Sequence, residues 1–130
     1  MAVSVAQIAW LAGLLEGEAC FMVRNRSVNG RHYKNIYIQL VMTDFDVVSR
    51  AASILGVDVR SCPWRPLSTK SIWRTAIHGD RAAGWMMTIY SLMGERRKEK
   101  IRECIETWRR SPGKSRAQMA TKELRAQGVA

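Results

Sequence analysis

The chain is poor in features that would staple or anchor a small protein. Its three cysteines, Cys20, Cys62 and Cys104, are odd in number, widely spaced and without any Cys-x-x-Cys pair. Neither a disulfide framework nor a structural zinc site follows from them, and the compartment they suit is a reducing one. The two histidines, His32 and His78, lie far apart without ligand spacing and read as ordinary polar residues. No apolar run is long enough to span a bilayer. The stretch from Val3 to Leu15 is broken by Gln7 and has no basic segment before it, so it reads as a core helix and not as a leader. A soluble intracellular protein is expected, in cytoplasm, nucleoid or an organelle, and not a secreted one. There is no internal repeat.

Acidic residues are also scarce. Against 21 Lys+Arg there are 11 Asp+Glu, a formal charge of +10. With a pI near 10.3, this balance points to a polyanionic partner, and to nucleic acid before an acidic membrane because no amphipathic lipid-binding stretch competes. A chain of 130 residues is large enough for one real core. Residues 1–110 read as that domain, and Ser111-Pro112-Gly113 separates it from a basic tail, 111–130, in which Lys114, Arg116, Lys122 and Arg125 fall on a short helical pattern.

The first helix is the organising element. Ser4 with Gln7 three residues on forms a capping box, so a helix is expected over about Val5 to Gly17. Ile8, Leu11, Ala12 and Leu15 make one apolar face at i, i+3, i+4 and i+7, while Ala9, Gly13 and Gly17 make a second stripe of very small side chains. Two glycines four residues apart cost about 1 kcal/mol each relative to alanine, and close approach by another helix, such as a second copy of this one, supplies a reason. Glu16 and Glu18 sit in the last turn, where the helix dipole disfavours an anion. A bound cation would remove that conflict, with Glu18, at the exit, the better placed of the two. Charge and spacing alone also fit two solvated acids on a surface turn.

Asn29-Gly30 is a strong hairpin signal, and a two-residue turn there pairs Val28 with Arg31 and fixes the register outward. On the core face Val23 opposes Ile36, Phe21 opposes Ile38 and Ala19 opposes Leu40. On the other face Arg26 opposes Tyr33, Arg24 opposes Asn35, Met22 opposes Tyr37 and Cys20 opposes Gln39, with Arg31 and Glu18 sharing that parity. A two-stranded ribbon fits the major groove, where Arg can bond guanine and Asn or Gln can bond adenine bidentately. Arg24, Arg26, Asn35 and Gln39 are the base-reading candidates. An ordinary polar sheet face is the alternative.

A second helix is expected from about Asp44 to Leu55, with Val47, Val48, Ala51 and Leu55 inward and Gly56 as its stop. Asp44 suits the dipole of that helix start. Strands follow over Val57 to Cys62 and Lys70 to His78, joined by a loop with Pro63, Trp64, Arg65 and Pro66; Trp64 and Arg65 are candidate contacts to phosphate or sugar. Trp73, Thr75 and Ile77 read as core, leaving Lys70, Arg74 and Ala76 outward with Arg60 beside them. Asp80 is expected to cap a third helix through about Leu92, with Ala83, Met86, Met87 and Tyr90 at core spacing. A further helix over Glu95 to Trp108 carries Arg96, Arg97, Lys98 and Lys100 balanced by Glu95, Glu99 and Glu103, the pattern of a solvated face.

The segment Leu11-Ala12-Gly13-Leu14-Leu15-Glu16-Gly17-Glu18-Ala19, followed by strand, hairpin and helix, resembles the motif of the LAGLIDADG homing endonucleases. It departs from the name motif in having Ala19 where that has glycine, and glutamate at the sixth and eighth positions. The resemblance, which runs from the motif to about Lys100, implies an α+β domain of order αββαββα with additional C-terminal helices and a saddle-shaped antiparallel sheet. Its outward face, with Arg24, Arg26, Arg31, Tyr33, Asn35, Tyr37, Gln39, Arg60, Lys70 and Arg74, would be the surface for double-stranded DNA.

The same resemblance makes Glu18 the residue for a catalytic divalent ion, Mg²⁺ or in its place Mn²⁺ or Ca²⁺, with Gly17 beside it. Asp44 would contact the metal's water, and Arg96 would stand near the scissile phosphate, with Arg97 or Lys98 one or two residues away. Lysine is usual there; arginine cannot deprotonate a water, so its part would be to stabilise charge. One motif per chain implies a homodimer through Ala9, Ala12, Gly13, Glu16 and Gly17, reading a palindromic or nearly palindromic site and cutting both strands across the minor groove to leave short 3′ overhangs. The alternatives are a non-cleaving protein of that fold, an RNA maturase or a DNA-binding regulator, and a basic dimeric interaction protein that never meets nucleic acid.

Overall fold

A computed structural model describes residues 2–62 and 71–110. Pro63, Trp64, Arg65, Pro66, Lys70 and the tail from Ser111 lie outside the described residues. The elements run α1 (Val5–Glu18), β1 (Ala19–Val28), β2 (Arg31–Met42), α2 (Phe45–Leu55), β3 (Arg60–Ser61), β4 (Trp73–His78), α3 (Gly79–Ile89), a 3₁₀ turn (Tyr90–Leu92) and α4 (Glu95–Arg110). This is the expected αββαββα order with an added C-terminal helix.

Helix α1 starts at the capping box. The Ser4 hydroxyl accepts from the Gln7 amide at 3.1 Å, and the Ser4 amide donates to Gln7 Oε1 at 2.8 Å. Leu11, Ala12 and Leu15 are buried as their spacing requires, while Gly13 and Gly17 are exposed. At Asn29 and Gly30 φ is 51° and 76°, the left-handed pair that a tight hairpin turn needs. The register of β1 on β2 is therefore the expected one along its whole length, from Val28 opposite Arg31 to Ala19 opposite Leu40, with no bulge.

The four strands lie in the order β1-β2-β4-β3, all antiparallel. Ala19, Phe21, Ile36, Ile38, Leu40 and Ile77 point to one face and merge with Leu11, Leu15, Val48, Ala51, Met86, Ile89 and Ile101 from the helices in a single apolar core. Burying each large aliphatic side chain there is worth about 1.5–3 kcal/mol. Cys104 belongs to this core, and burial pushes its thiol up to about 11, so it stays a neutral apolar residue. Among the described residues no helix is long and apolar enough to cross a membrane.

Five local expectations need correction. Strand β3 is two residues long, because Val57 and Val59 pack against the core while the Val57 amide donates to the Ala52 carbonyl at 3.0 Å and the Asp58 carbonyl accepts from Thr75 Oγ1 at 3.0 Å. Strand β4 begins at Trp73, although the Cys62 amide still bonds the Ile72 carbonyl at 2.8 Å. Helix α3 is capped by His78, not Asp80, whose carboxylate instead accepts from Trp108 Nε1 at 2.8 Å and ties α3 to α4. That helix tightens into the 3₁₀ turn after Ile89 and carries Ala82 and Ile89 inward, leaving Met87 50% exposed. Ala12, expected at a dimer interface, is 3% exposed within this chain's own core, so its side chain is not available to a partner.

Candidate functional site

The direct passage from α1 into β1 decides where Glu18 goes. Ala19 is extended, with φ −88° and ψ 159°, its amide bonded to the Leu15 carbonyl and its methyl buried. No left-handed residue is needed at this turn, so alanine serves where the motif has glycine. Glu18 is exposed and its carboxylate has no hydrogen-bond or ion-pair partner among the described residues. Asp44, just beyond the end of β2, is the N-cap of α2, yet its side chain makes no capping bond. Since Ala19 pairs with Leu40, both carboxylates belong to the same end of the β1–β2 ladder.

Arg97 belongs to this end as well. Its Nε donates to the Glu16 carbonyl at 2.9 Å, and its guanidinium carbon lies 5.5 Å from the centre of the Phe21 ring. It thereby satisfies one of the carbonyls that the end of α1 leaves without an internal partner. In return the Glu16 carboxylate accepts at Oε1 from the Gly94 amide at 3.1 Å, in front of α4. The C-terminal end of α1 and the N-terminal end of α4 cap each other, each with the sign of charge its dipole favours, worth about 0.3–1 kcal/mol apiece at exposed sites. Arg96, by contrast, is exposed, and Lys98 pairs with Glu95 at 3.8 Å.

The outward sheet face holds the expected polar set in register. Arg24 is exposed, donates through Nη2 to Gln39 Oε1 at 3.3 Å and lies 5.5 Å from the Tyr37 ring centre. Arg26 and Arg31 are exposed, while Tyr33, Asn35, Tyr37 and Gln39 are half-buried. Asn35 commits its Oδ1 to the Ile36 amide at 2.9 Å, which leaves its NH₂ group free to donate. Arg74 and Arg60 pair directly opposite each other at the other edge, and with Tyr37, His78 and Arg81 they line a cavity of ≈ 390 Å³. Among the described residues no three His, Cys, Asp or Glu side chains gather at one point.

No protein-family model and no curated protein sequence matches the chain. Solved structures do. The homing endonuclease I-CvuI, in complex with the I-CreI target in the presence of 2 mM Mg with the DNA not cleaved, aligns with a TM-score of 0.62 and 14% identity over 78% of this chain and 66% of its own. The same enzyme with its target in 2 mM Ca aligns with a TM-score of 0.58 and 15% identity, again over 78% and 66%. The group I intron-encoded homing endonuclease I-CeuI, complexed with DNA, aligns with a TM-score of 0.63 and 11% identity over 82% of this chain and 55% of its own. The chain has the LAGLIDADG homing-endonuclease fold. It spans just under two thirds of the length of the I-CvuI chains, and less of I-CeuI.

Within this LAGLIDADG fold, several contacts at the site had no signal in spacing or composition. Arg81 Nη2 caps α2 by donating to the Leu55 and Gly56 carbonyls at 3.0 and 2.9 Å. Arg50 stacks 4.0 Å from the Trp10 ring centre. Both arginines lie in helices whose partners are distant in sequence, as does the contact between Glu16 and Gly94. The glycine at 94 carried one clue, since it precedes a helix rich in paired charges.

Proposed function

We propose that the protein is a site-specific endonuclease for double-stranded DNA, acting as a homodimer on a palindromic or nearly palindromic site by metal-dependent phosphodiester hydrolysis. The observation that carries this reading is the continuity of Glu18, an exposed carboxylate with no partner among the described residues, with an outward sheet face of arginines, tyrosines and amides set in register by the hairpin. The charge of +10 and the DNA complexes of proteins sharing the fold support it.

The donor set fits a divalent ion. Mg²⁺ is commonly held by one or two carboxylates, with waters and phosphate oxygens completing its shell. Glu18, with the Gly17 backbone beside it, would supply this chain's share, and a second copy the other. Such an ion supplies an acidified water and a positive charge against the phosphodiester oxygens. Asp44 holds and orients a water. That water's oxygen forms a bond to phosphorus and gives up a proton while the bond to the leaving oxygen breaks, and the leaving oxygen takes up a proton in exchange. Arg97, or the exposed Arg96, offsets the charge that develops on the phosphate. The sheet face reads base edges, Arg24, Arg26 and the amides foremost, and Ala9, Gly13 and Gly17 form the seam with the second copy.

The test is cleavage of a plasmid library carrying randomised inserts, with Mg²⁺ and with EDTA, comparing the native chain with Glu18→Gln. Cleavage that needs both metal and Glu18 is expected and delivers the site in the same step. A folded dimer that binds duplex DNA without cutting would move the assignment to a regulator or maturase of this fold. Absence of any salt-sensitive DNA binding would leave an interaction protein.

A further inference from the structure

Glu16 holds its carboxylate in an unusual setting. Oε1 accepts from the Gly94 amide, while Oε2 is buried and has no partner among the described residues. A Cβ built on Gly94 would stand 2.7 Å from Glu16 Oε1, so a side chain at position 94 would make the Glu16 carboxylate shift from its present place on the amide. The main chain of Glu16 is engaged too, through its carbonyl and Arg97 Nε. One residue thus joins two helix ends by two independent bonds and leaves a carboxylate oxygen unsatisfied.

We infer that Glu16 is a positioning residue of the cleavage site, acting through the Gly94 amide to hold the end of α1 that carries Glu18 against the start of α4 that carries Arg97. The inference rests on the nuclease reading above. Glu18 follows Glu16 by two residues, and Arg97 is bonded to Glu16 itself, so sliding of α1 on α4 changes the separation of the two groups. Displacements of about 1 Å at such a site cost about 100-fold in rate.

The experiment is a double-mutant cycle on the full-length chain with a target recovered by the library selection. Single-turnover cleavage is measured across a Mg²⁺ titration, and Mn²⁺ affinity of the DNA complex is measured by electron paramagnetic resonance. Glu16→Ala and Gly94→Ala are each expected to slow cleavage by about tenfold or more and to weaken Mn²⁺ binding, with DNA affinity held within about twofold. Glu16→Gln, whose amide oxygen still accepts from Gly94, is expected to rescue most of the rate. The double variant should be no worse than Glu16→Ala alone, because the methyl at position 94 then meets nothing.

If Glu16→Ala melts below the assay temperature, Glu16→Asp replaces it, keeping the charge but losing reach. Native rate and native Mn²⁺ affinity in the Glu16 variants, or losses that multiply in the double variant, overturn the inference even where Glu18→Gln abolishes cleavage. A native chain that cuts no target overturns the nuclease reading instead. The positioning role falls with it, whereas cutting by the native chain with unaffected Glu16 variants overturns the positioning role alone.

Discussion

Arg60 and Arg74 stand directly opposite each other across β3 and β4, both exposed and neither in an ion pair among the described residues. Like charges in that relation destabilise a sheet by a few tenths to about 1 kcal/mol. The conflict disappears when an anion lies between them, and the cavity they line with Arg81, His78 and Tyr37 is wide enough for a phosphate. Arg60→Gln should therefore raise the melting temperature of the free protein slightly while weakening DNA binding. The loss should be uniform across sequences and lower the slope of log affinity against log salt by about one. Loss confined to one base position, with the slope unchanged, would make Arg60 a base reader instead.

Arg24 is tied to Gln39 and packed on Tyr37, so its guanidinium is held in place before any DNA arrives. A pre-ordered arginine on a ribbon face loses less entropy on meeting a base edge. Arg24→Ala is expected to cost about 1–3 kcal/mol at one base pair per half-site and to relax selectivity there, as measured by binding to a set of single-position variants of the site. A uniform loss over all positions would reassign Arg24 to the phosphate backbone.

Glu18 and Asp44 predict different signatures. On the proposed reading Glu18→Gln takes away a ligand for the divalent ion and should lower cleavage by about two orders of magnitude or more at saturating Mg²⁺, with DNA binding intact. Asp44→Asn keeps the length and polarity of a cap whose carboxylate makes no bond. The melting temperature should then change little, and the rate should fall by about 10²–10³ if Asp44 orients the attacking water. Parallel melting curves and single-turnover rates check both. An active Asp44→Asn variant would confine Asp44 to the start of α2.

What was legible in the chain was what adjacent residues decide. Ser4 and Gln7 fixed the start of α1, and Asn29-Gly30 fixed a register from which the two faces of the hairpin followed by parity alone. The shortness of β3 was not legible, because Val57 and Val59 have the composition of a strand and only tertiary packing takes them out of the ladder. Asp80 looked like a cap for the same reason: its true partner, Trp108, lies on another helix. For Glu16 the spacing offers only an acid of the last turn, and the resemblance a place at the dimer interface, since nothing within its own helix announces Gly94.

Gly13 gives the sharpest test of the proposed dimer. Within one chain a Cβ at position 13, or at 17, meets nothing within 4 Å, so the monomer has no steric need for glycine in the middle of α1. Gly13→Ala should on that account stabilise an isolated chain by up to about 1 kcal/mol through helix propensity. If the helix packs closely on a second copy, the bulkier Gly13→Leu should push the two backbones apart. Sedimentation should then show a folded monomer, melting cooperatively, with affinity for a half-site and none of the double-strand cleavage. A Gly13→Leu chain that still sediments as a dimer and cuts both strands would place the interface on a surface other than α1, and the exposed stripe of small residues would need another explanation.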